Sequence, residues 1–452
     1  MKLTSNINKY IYRGYDIRGI YGEDLNEDVA YTLGKGFGSY IQELGKTIAV
    51  VGYDNRSSSP ELSNAFIKGA IETGITVYNI GLVTTPMYYY SWEKLGIVSG
   101  AMITASHNPK EYNGFKIAFD ERGNAAGKMI QEFRRYVEKG IFNNGHGNER
   151  KVDIKNEYIN FITNGIKLEN RKVKVVLDAG NGSGSIVIKE AFKNLNVDAE
   201  YIFCDSDPEF PNHHPDPSVE SNLTKLKEKV LETGADLGLS VDGDADRVGA
   251  VDEKGNFIPA DILMIIIWRN IYNKVKNKKA LYDIKCSNTL ADELDKLGIE
   301  KVCYRTGNSY IKAMMKEGDF NFGGESSGHL FFRDRFPGFD DGIYACLRII
   351  EILSNTDKSF SELLDGINKY YSVPEIKIKS TDEEKFEIVE KVRKYAEDKG
   401  YNINAIDGVR VDFDDGWALV RASNTGPNVT AIFEGVTEER MNEIKEEFMS
   451  LI

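Results

Sequence analysis

Short, continuously apolar runs that stop at a glycine- or aspartate-bearing turn and give way to helical spacing recur along this chain. Ile48-Ala49-Val50-Val51-Gly52-Tyr53-Asp54 precedes helix-like spacing over residues 60–73. Val173-Lys174-Val175-Val176-Leu177-Asp178-Ala179-Gly180, Leu237-Gly238-Leu239-Ser240-Val241-Asp242 and Lys279-Ala280-Leu281-Tyr282-Asp283-Ile284 repeat the pattern, the last before a helical stretch over 289–297. Runs without polar alternation are buried on both faces, so they predict strands of parallel or mixed sheets sandwiched by helices. The expected class is therefore α/β, made of βαβ units. Ligands of such sheets bind at loops leaving the carboxyl ends of strands.

Beyond about residue 367 the pattern changes. A charged helix over 381–399 precedes a strand over 409–413, an Asp414-Asp415-Gly416 turn and a strand over 417–421, and Asp-Gly between apolar runs predicts a hairpin. A third strand over 429–433 and a closing helix over 437–451 complete a smaller α+β domain. At 452 residues the chain is too long for a single core. Four domains are expected, over 1–150, 151–255, 256–367 and 368–452.

Composition narrows the function classes. Seventy acidic against 57 basic residues give a net charge of −13, the wrong sign for a protein that binds nucleic acid through phosphate contacts. Cys204, Cys286, Cys303 and Cys346 form no C-x-x-C pair, which suits a reducing compartment. The polar first 21 residues do not read as a signal peptide, and the apolar run 262–268 is far short of the ~20 residues a membrane span needs. A cytoplasmic protein with no nucleic-acid or membrane partner, monomeric or a small oligomer, is the expectation.

Four loops read either as carriers of chemistry or as plain polar turns. Thr104-Ala105-Ser106-His107-Asn108-Pro109 follows an apolar run and reads either as a nucleophile loop or as a turn held by its own side chains; Lys116 follows ten residues on. In Asp242-Gly243-Asp244-Ala245-Asp246-Arg247 three alternating carboxylates at a strand end repel one another unless a hard cation such as Mg²⁺ takes them as oxygen ligands. An EF-hand fails here because Arg247 stands where its glycine must be. Gly323-Gly324-Glu325-Ser326-Ser327-Gly328-His329 offers groups that bind sugar hydroxyls where glycines admit a ligand to the backbone. Arg421-Ala422-Ser423-Asn424-Thr425-Gly426-Pro427 joins a forked cation to hydroxyls and an amide, a set suited to phosphate. Gly180-Asn181-Gly182-Ser183-Gly184 fits neither dinucleotide nor P-loop spacing and reads as a turn. His213-His214 reads as a proline-rich surface loop.

In this order, and with Gly14-Tyr15-Asp16-Ile17-Arg18-Gly19 ahead of them, the loops resemble the α-D-phosphohexomutase superfamily, in its phosphomannomutase/phosphoglucomutase branch. The resemblance covers almost the whole chain. It implies three related α/β domains with mixed sheets between helices, plus a C-terminal α+β domain of the TATA-box-binding-protein-like type, around a central cleft. It also implies a phosphoserine enzyme that interconverts hexose 1-phosphate and hexose 6-phosphate through a hexose 1,6-bisphosphate. Ser106 would carry the phosphoryl group with His107 beside it, and Asp242, Asp244, Asp246 and a phosphoserine oxygen would hold Mg²⁺. Arg18 and Arg247 would stabilise the transferring group, with Lys116 and His329 as general base and acid. A lysine needs a lowered pKa for that task. Tyr15, Lys285, Asn308, Glu325 and Ser327 would contact the sugar, and Arg421, Ser423, Asn424 and Thr425 the non-reacting phosphate. Mannose and glucose phosphates are the implied partners and glucose 1,6-bisphosphate the activator.

Two positions depart from the family pattern. Asn308 stands where histidine is common, which excludes acid–base work there, and Gly426 stands where glutamate is common. Thr104-Ala105-Ser106 and Arg421-Ala422-Ser423-Asn424 favour this branch over phosphoglucosamine mutase, which usually has Ser-Ala-Ser and Arg-Pro-Ser-Gly. The alternatives are that mutase, a sugar-phosphate-binding protein without turnover, and a metal-dependent phosphatase.

Overall fold

The computed structural model describes residues 1–452 except Asn170 and Thr425. The chain divides into two compact units: Met1–Ala260 with Ser327–Phe331 and Phe339–Leu363, and Asp261–Ser326 with Phe332–Gly338 and Leu364–Ile452.

The first unit holds two sheets. One is six-stranded, in the order Ile17–Ile20, Tyr112–Ala118, Gly100–Ile103, Ile48–Tyr53, Thr76–Leu82, Asn148–Lys151. Its inner strands pair in parallel, and Tyr112–Ala118 runs antiparallel to both neighbours. Val50 and Val51 are fully buried, as a strand apolar on both faces must be. Helices Glu27–Glu43 and Ser59–Ile71 cover this sheet and approach closely: a Cβ on Gly34 would fall 2.1 Å from the Phe66 carbonyl oxygen, so only glycine fits. The second sheet runs Phe257–Ile258, Val248–Asp252, Leu237–Val241, Val173–Asp178, Val197–Ile202. Its centre is parallel and its Leu237–Val241/Val248–Asp252 pair an antiparallel hairpin.

In the second unit Glu300–Tyr304, Lys279–Asp283 and Phe322–Gly324 pair in parallel. The C-terminal sheet is antiparallel: Tyr371–Ser372, Asn428–Gly435, Gly416–Ala422, Val409–Phe413 and Asn402–Asn404 in that order, with Ile376–Lys379 also on Asn428–Gly435. Helices Glu384–Asp398 and Glu438–Met449 pack on it around Val392, Val411, Phe433 and Ile444. This is the α+β end of the chain. The hairpin is tighter than its sequence suggests. Gly416 already pairs with Phe413, so only Asp414 and Asp415 turn. The charged helix likewise starts at Glu384, where Thr381 Oγ1 accepts from the Glu384 amide. Among the described residues no helix is long and apolar enough to cross a membrane.

Candidate active site

Ser106 leaves strand Gly100–Ile103 with φ 49°, a conformation that costs a non-glycine residue about 1–3 kcal/mol and persists only where the surroundings enforce it. Thr104 Oγ1 accepts from the Ser106 amide at 2.8 Å. The Ser106 hydroxyl donates to Asp242 Oδ2 at 2.7 Å and lies 3.2 Å from His107 Nδ1.

Asp242, Asp244 and Asp246 are fully buried, with ligand atoms all within 4.8 Å of one another. The hairpin exposes them to one another by turning tightly, with Ala245 at φ 63°. Asp242 Oδ1 accepts from the amides of Asp246 (3.0 Å) and Arg247 (3.1 Å). Asp244 Oδ2 accepts from Thr85 Oγ1 at 2.6 Å and Thr104 Oγ1 at 3.2 Å. Lys116, on Tyr112–Ala118, places Nζ 2.8 Å from Asp244 Oδ2 and 2.6 Å from Asp246 Oδ2. Burial and the Asp244 and Asp246 charges push the Asp242 carboxyl well above the usual range. Burial opposes ionisation of Asp244 too, but Lys116 overrides it and holds that carboxyl low.

A dication is a fair fit to this set. Asp244 Oδ1 and Asp246 Oδ1 are buried oxygens that accept no hydrogen bond, beside a third carboxylate and a hydroxyl. All are hard oxygen donors, the chemistry Mg²⁺ selects. The expected proton-accepting state of Lys116 is not what this geometry gives. Burial lowers its pKa, but Asp244 and Asp246 more than offset that and set it well above the ordinary lysine value. Here Lys116 is the aspartates' counter-ion.

Arg18, on Ile17–Ile20, is buried, pairs with Asp16 and donates from Nη1 to Asn108 Oδ1 at 2.8 Å. Arg247 Nε donates to His329 Nε2 at 3.0 Å; burial opposes its charge, but Asp216, Asp242 and Asp246 together outweigh that. His329 reaches this hairpin because the Gly328 carbonyl accepts from the Val248 amide at 3.0 Å. Its Nδ1 lies 2.8 Å from Asp340 Oδ2. With Nε2 accepting from arginine, the ring proton belongs on Nδ1, facing Asp340. Tyr15 is half-buried and lies near Arg247; Ser327 is half-buried beside Gly328.

The remaining expected residues lie in the second unit. Lys285 Nζ pairs with Glu375 Oε2 at 3.1 Å, and Glu375 and Asp283 outweigh burial to raise its pKa. Buried Glu325 accepts from the Gly307 amide, and Gly307, at φ 133°, occupies a conformation only glycine takes readily. Asn308 opens helix Asn308–Glu317 and is buried. Arg421 is buried with Nη2 2.9 Å from Asp407 Oδ2, which also accepts from the Thr306 amide at 3.1 Å. The Ser423 carbonyl accepts from Lys385 Nζ at 3.0 Å, and Asn424 Nδ2 approaches the Thr306 carbonyl at 3.4 Å. Thr425 lies outside the described residues.

Sequence reasoning missed Arg56, Asp340, Asp407 and Lys385, which hold the named residues in place. The 180–184 turn is a buttress: a Cβ on Gly182 would lie 2.6 Å from the Gly243 carbonyl oxygen, so the turn lies directly against the aspartate loop. His213 is not a free surface histidine; its Nε2 lies 3.0 Å from Asp178 Oδ2.

Four family models match the chain in succession. They describe phosphoglucomutase/phosphomannomutase alpha/beta/alpha domain I over residues 9–144, domain II over 156–255, domain III over 259–370 and the C-terminal domain over 375–451. A phosphomannomutase/phosphoglucomutase of Pseudomonas aeruginosa is 40% identical over 97% of this chain and 94% of its own length. The chain belongs to the phosphoglucomutase/phosphomannomutase family. A phosphoglucomutase of Neisseria meningitidis is also 40% identical, over 99% of this chain and 98% of its own. The crystal structure of a phosphoglucomutase/phosphomannomutase family protein from Burkholderia thailandensis superposes with a TM-score of 0.90 at 35% identity, covering 98% of this chain and 97% of that one.

Proposed function

We propose that this family member interconverts the 1- and 6-phosphates of mannose and glucose, with Ser106 as the phosphoryl carrier. The observation that carries the reading is the Ser106 hydroxyl on the Asp242 carboxylate, inside a buried acidic cluster. Asp242, Asp244, Asp246 and an oxygen on Ser106 would hold Mg²⁺, which supplies charge neutralisation for a transferring phosphoryl group.

The chain's own residues do the rest. Arg18 and Arg247 bring positive charge to the Ser106 loop and the aspartate loop. Phosphoserine 106 donates to the free hydroxyl of the bound sugar, giving a hexose 1,6-bisphosphate. That intermediate turns over, and its other phosphate returns to Ser106. Lys116 and His329 exchange protons with the sugar oxygen; Lys116 does so once its hold on Asp244 and Asp246 is relieved. Lys285, Asn308, Glu325, Ser327 and Tyr15 bind sugar hydroxyls, and Arg421, Ser423, Asn424 and Thr425 grip the phosphate that does not react. Glucose 1,6-bisphosphate rephosphorylates enzyme that has lost its phosphate. The work divides among domains over 1–150, 151–255, 256–367 and 368–452.

The test is kcat/KM on mannose 1-phosphate, glucose 1-phosphate and glucosamine 1-phosphate with Mg²⁺ and glucose 1,6-bisphosphate. Comparable values for mannose and glucose with little on glucosamine support the reading. A strong preference for glucosamine assigns a phosphoglucosamine mutase instead.

A further inference from the structure

Arg56 follows strand Ile48–Tyr53 and is among the largest fully buried side chains of the protein. Its four terminal N–H groups are spent on the backbone of one loop. Nη1 donates to the carbonyls of Pro109 (2.7 Å) and Tyr112 (3.1 Å), and Nη2 to those of Ser106 (2.7 Å) and Asn108 (2.6 Å). Ser106 is outside both strand and helix, so its buried carbonyl needs a partner that no ladder supplies. Asp54 balances the buried charge, with Oδ2 3.2 Å from Nε, and Asp54 Oδ1 accepts from the Arg56 amide at 3.0 Å.

The carbonyl that Arg56 grips is also the one the aspartate loop packs against. A Cβ on Gly243 would lie 2.6 Å from the Ser106 carbonyl oxygen. Asn108 is held twice, its carbonyl by Arg56 and its side chain by Arg18. One planar guanidinium therefore sets the Ser106 backbone, its separation from Asp242 and the anchor of Arg18. An ammonium has three donors radiating from a point and cannot reproduce a planar set of four.

We propose that Arg56 is a positioning residue for phosphoryl transfer, acting through the backbone of the Ser106 loop. The proposal rests on Ser106 being the phosphoryl carrier. Misplacing reacting groups by about 1 Å costs on the order of 100-fold in rate.

The test uses the full chain as Arg56→Lys and as Asp54→Asn, each phosphorylated with glucose 1,6-bisphosphate. Transfer from the labelled enzyme to saturating glucose 1-phosphate is followed in a single turnover, beside steady-state KM and thermal melting. Folded Arg56→Lys is expected to transfer about 100-fold more slowly than wild type while KM stays within about threefold, because the loss falls on the chemical step. Asp54→Asn keeps the guanidinium and its four carbonyls, and is expected to transfer within about threefold of wild type. A wild-type-like rate in folded Arg56→Lys overturns the proposal. Should Arg56→Lys not fold, Asp54→Asn decides: a wild-type-like rate supports the clamp, and a loss on the order of 100-fold assigns the effect to the ion pair and overturns it. Wild-type enzyme that takes no label on Ser106 would instead remove the functional reading itself.

Discussion

The Ser106 hydroxyl donates to Asp242 Oδ2 across 2.7 Å, joining loops 136 residues apart in the chain. Three carboxylates are buried beside it with two oxygens that accept no hydrogen bond.

Mg²⁺ should therefore stabilise the folded protein. At about 100 times its dissociation constant a ligand adds roughly 2.7 kcal/mol. Melting with and without Mg²⁺ checks this, and Asp242→Asn is expected to abolish the shift. Chelation should stop turnover and added Mg²⁺ restore it.

Lys116 is buried against Asp244 and Asp246. Breaking a buried pair by removing one partner costs about 3–5 kcal/mol. Lys116→Met should melt earlier than wild type without a divalent cation and lose turnover. Mg²⁺ should raise its melting temperature by more than it raises that of wild type, because the ammonium no longer competes for the carboxylates. Equal shifts would show that Lys116 and the cation do not share oxygens.

Arg421 is oriented by Asp407, which fixes its fork. A lysine keeps the charge but loses the paired donors that match a phosphate. Arg421→Lys should raise the KM for glucose 1-phosphate by about tenfold, the equivalent of about 1.4 kcal/mol. Steady-state kinetics check it.

Asp341 caps helix Gly342–Ser354 and accepts from Tyr158 Oη at 2.8 Å. Burial, against the lowering effect of these hydrogen bonds, pushes its pKa up to about 7. The folded state thus binds this proton more tightly than the unfolded chain, whose aspartate titrates near about 3.9. Its contribution is fully favourable below about pH 4 and falls as the pH rises to about 7, by up to roughly 4 kcal/mol. Asp341→Asn should gain melting temperature relative to wild type between those limits, measured by thermal melting at both ends.

The strands were legible because their runs are apolar on both faces, as Val50 and Val51 show. The aspartate loop was legible because like charges at alternate positions need an external partner. Arg56 was not: its partners are carbonyls about 50 residues away, and carbonyls leave no mark in a sequence. The Lys116 charge state was equally hidden, because it depends on carboxylates that only the packing of two sheets brings within 3 Å. Asp340 and Asp341 are adjacent in sequence, yet one faces His329 and the other caps a helix, a division set by the backbone between them.

Incubating the protein with glucose 1,6-bisphosphate labelled on phosphate, and mapping the modified residue by peptide mass spectrometry, tests Ser106 as the phosphoryl carrier. That role requires label on Ser106, transferable to glucose 1-phosphate, and none in Ser106→Ala. Isomerisation by Ser106→Ala at the wild-type rate, or label on another residue, would contradict it.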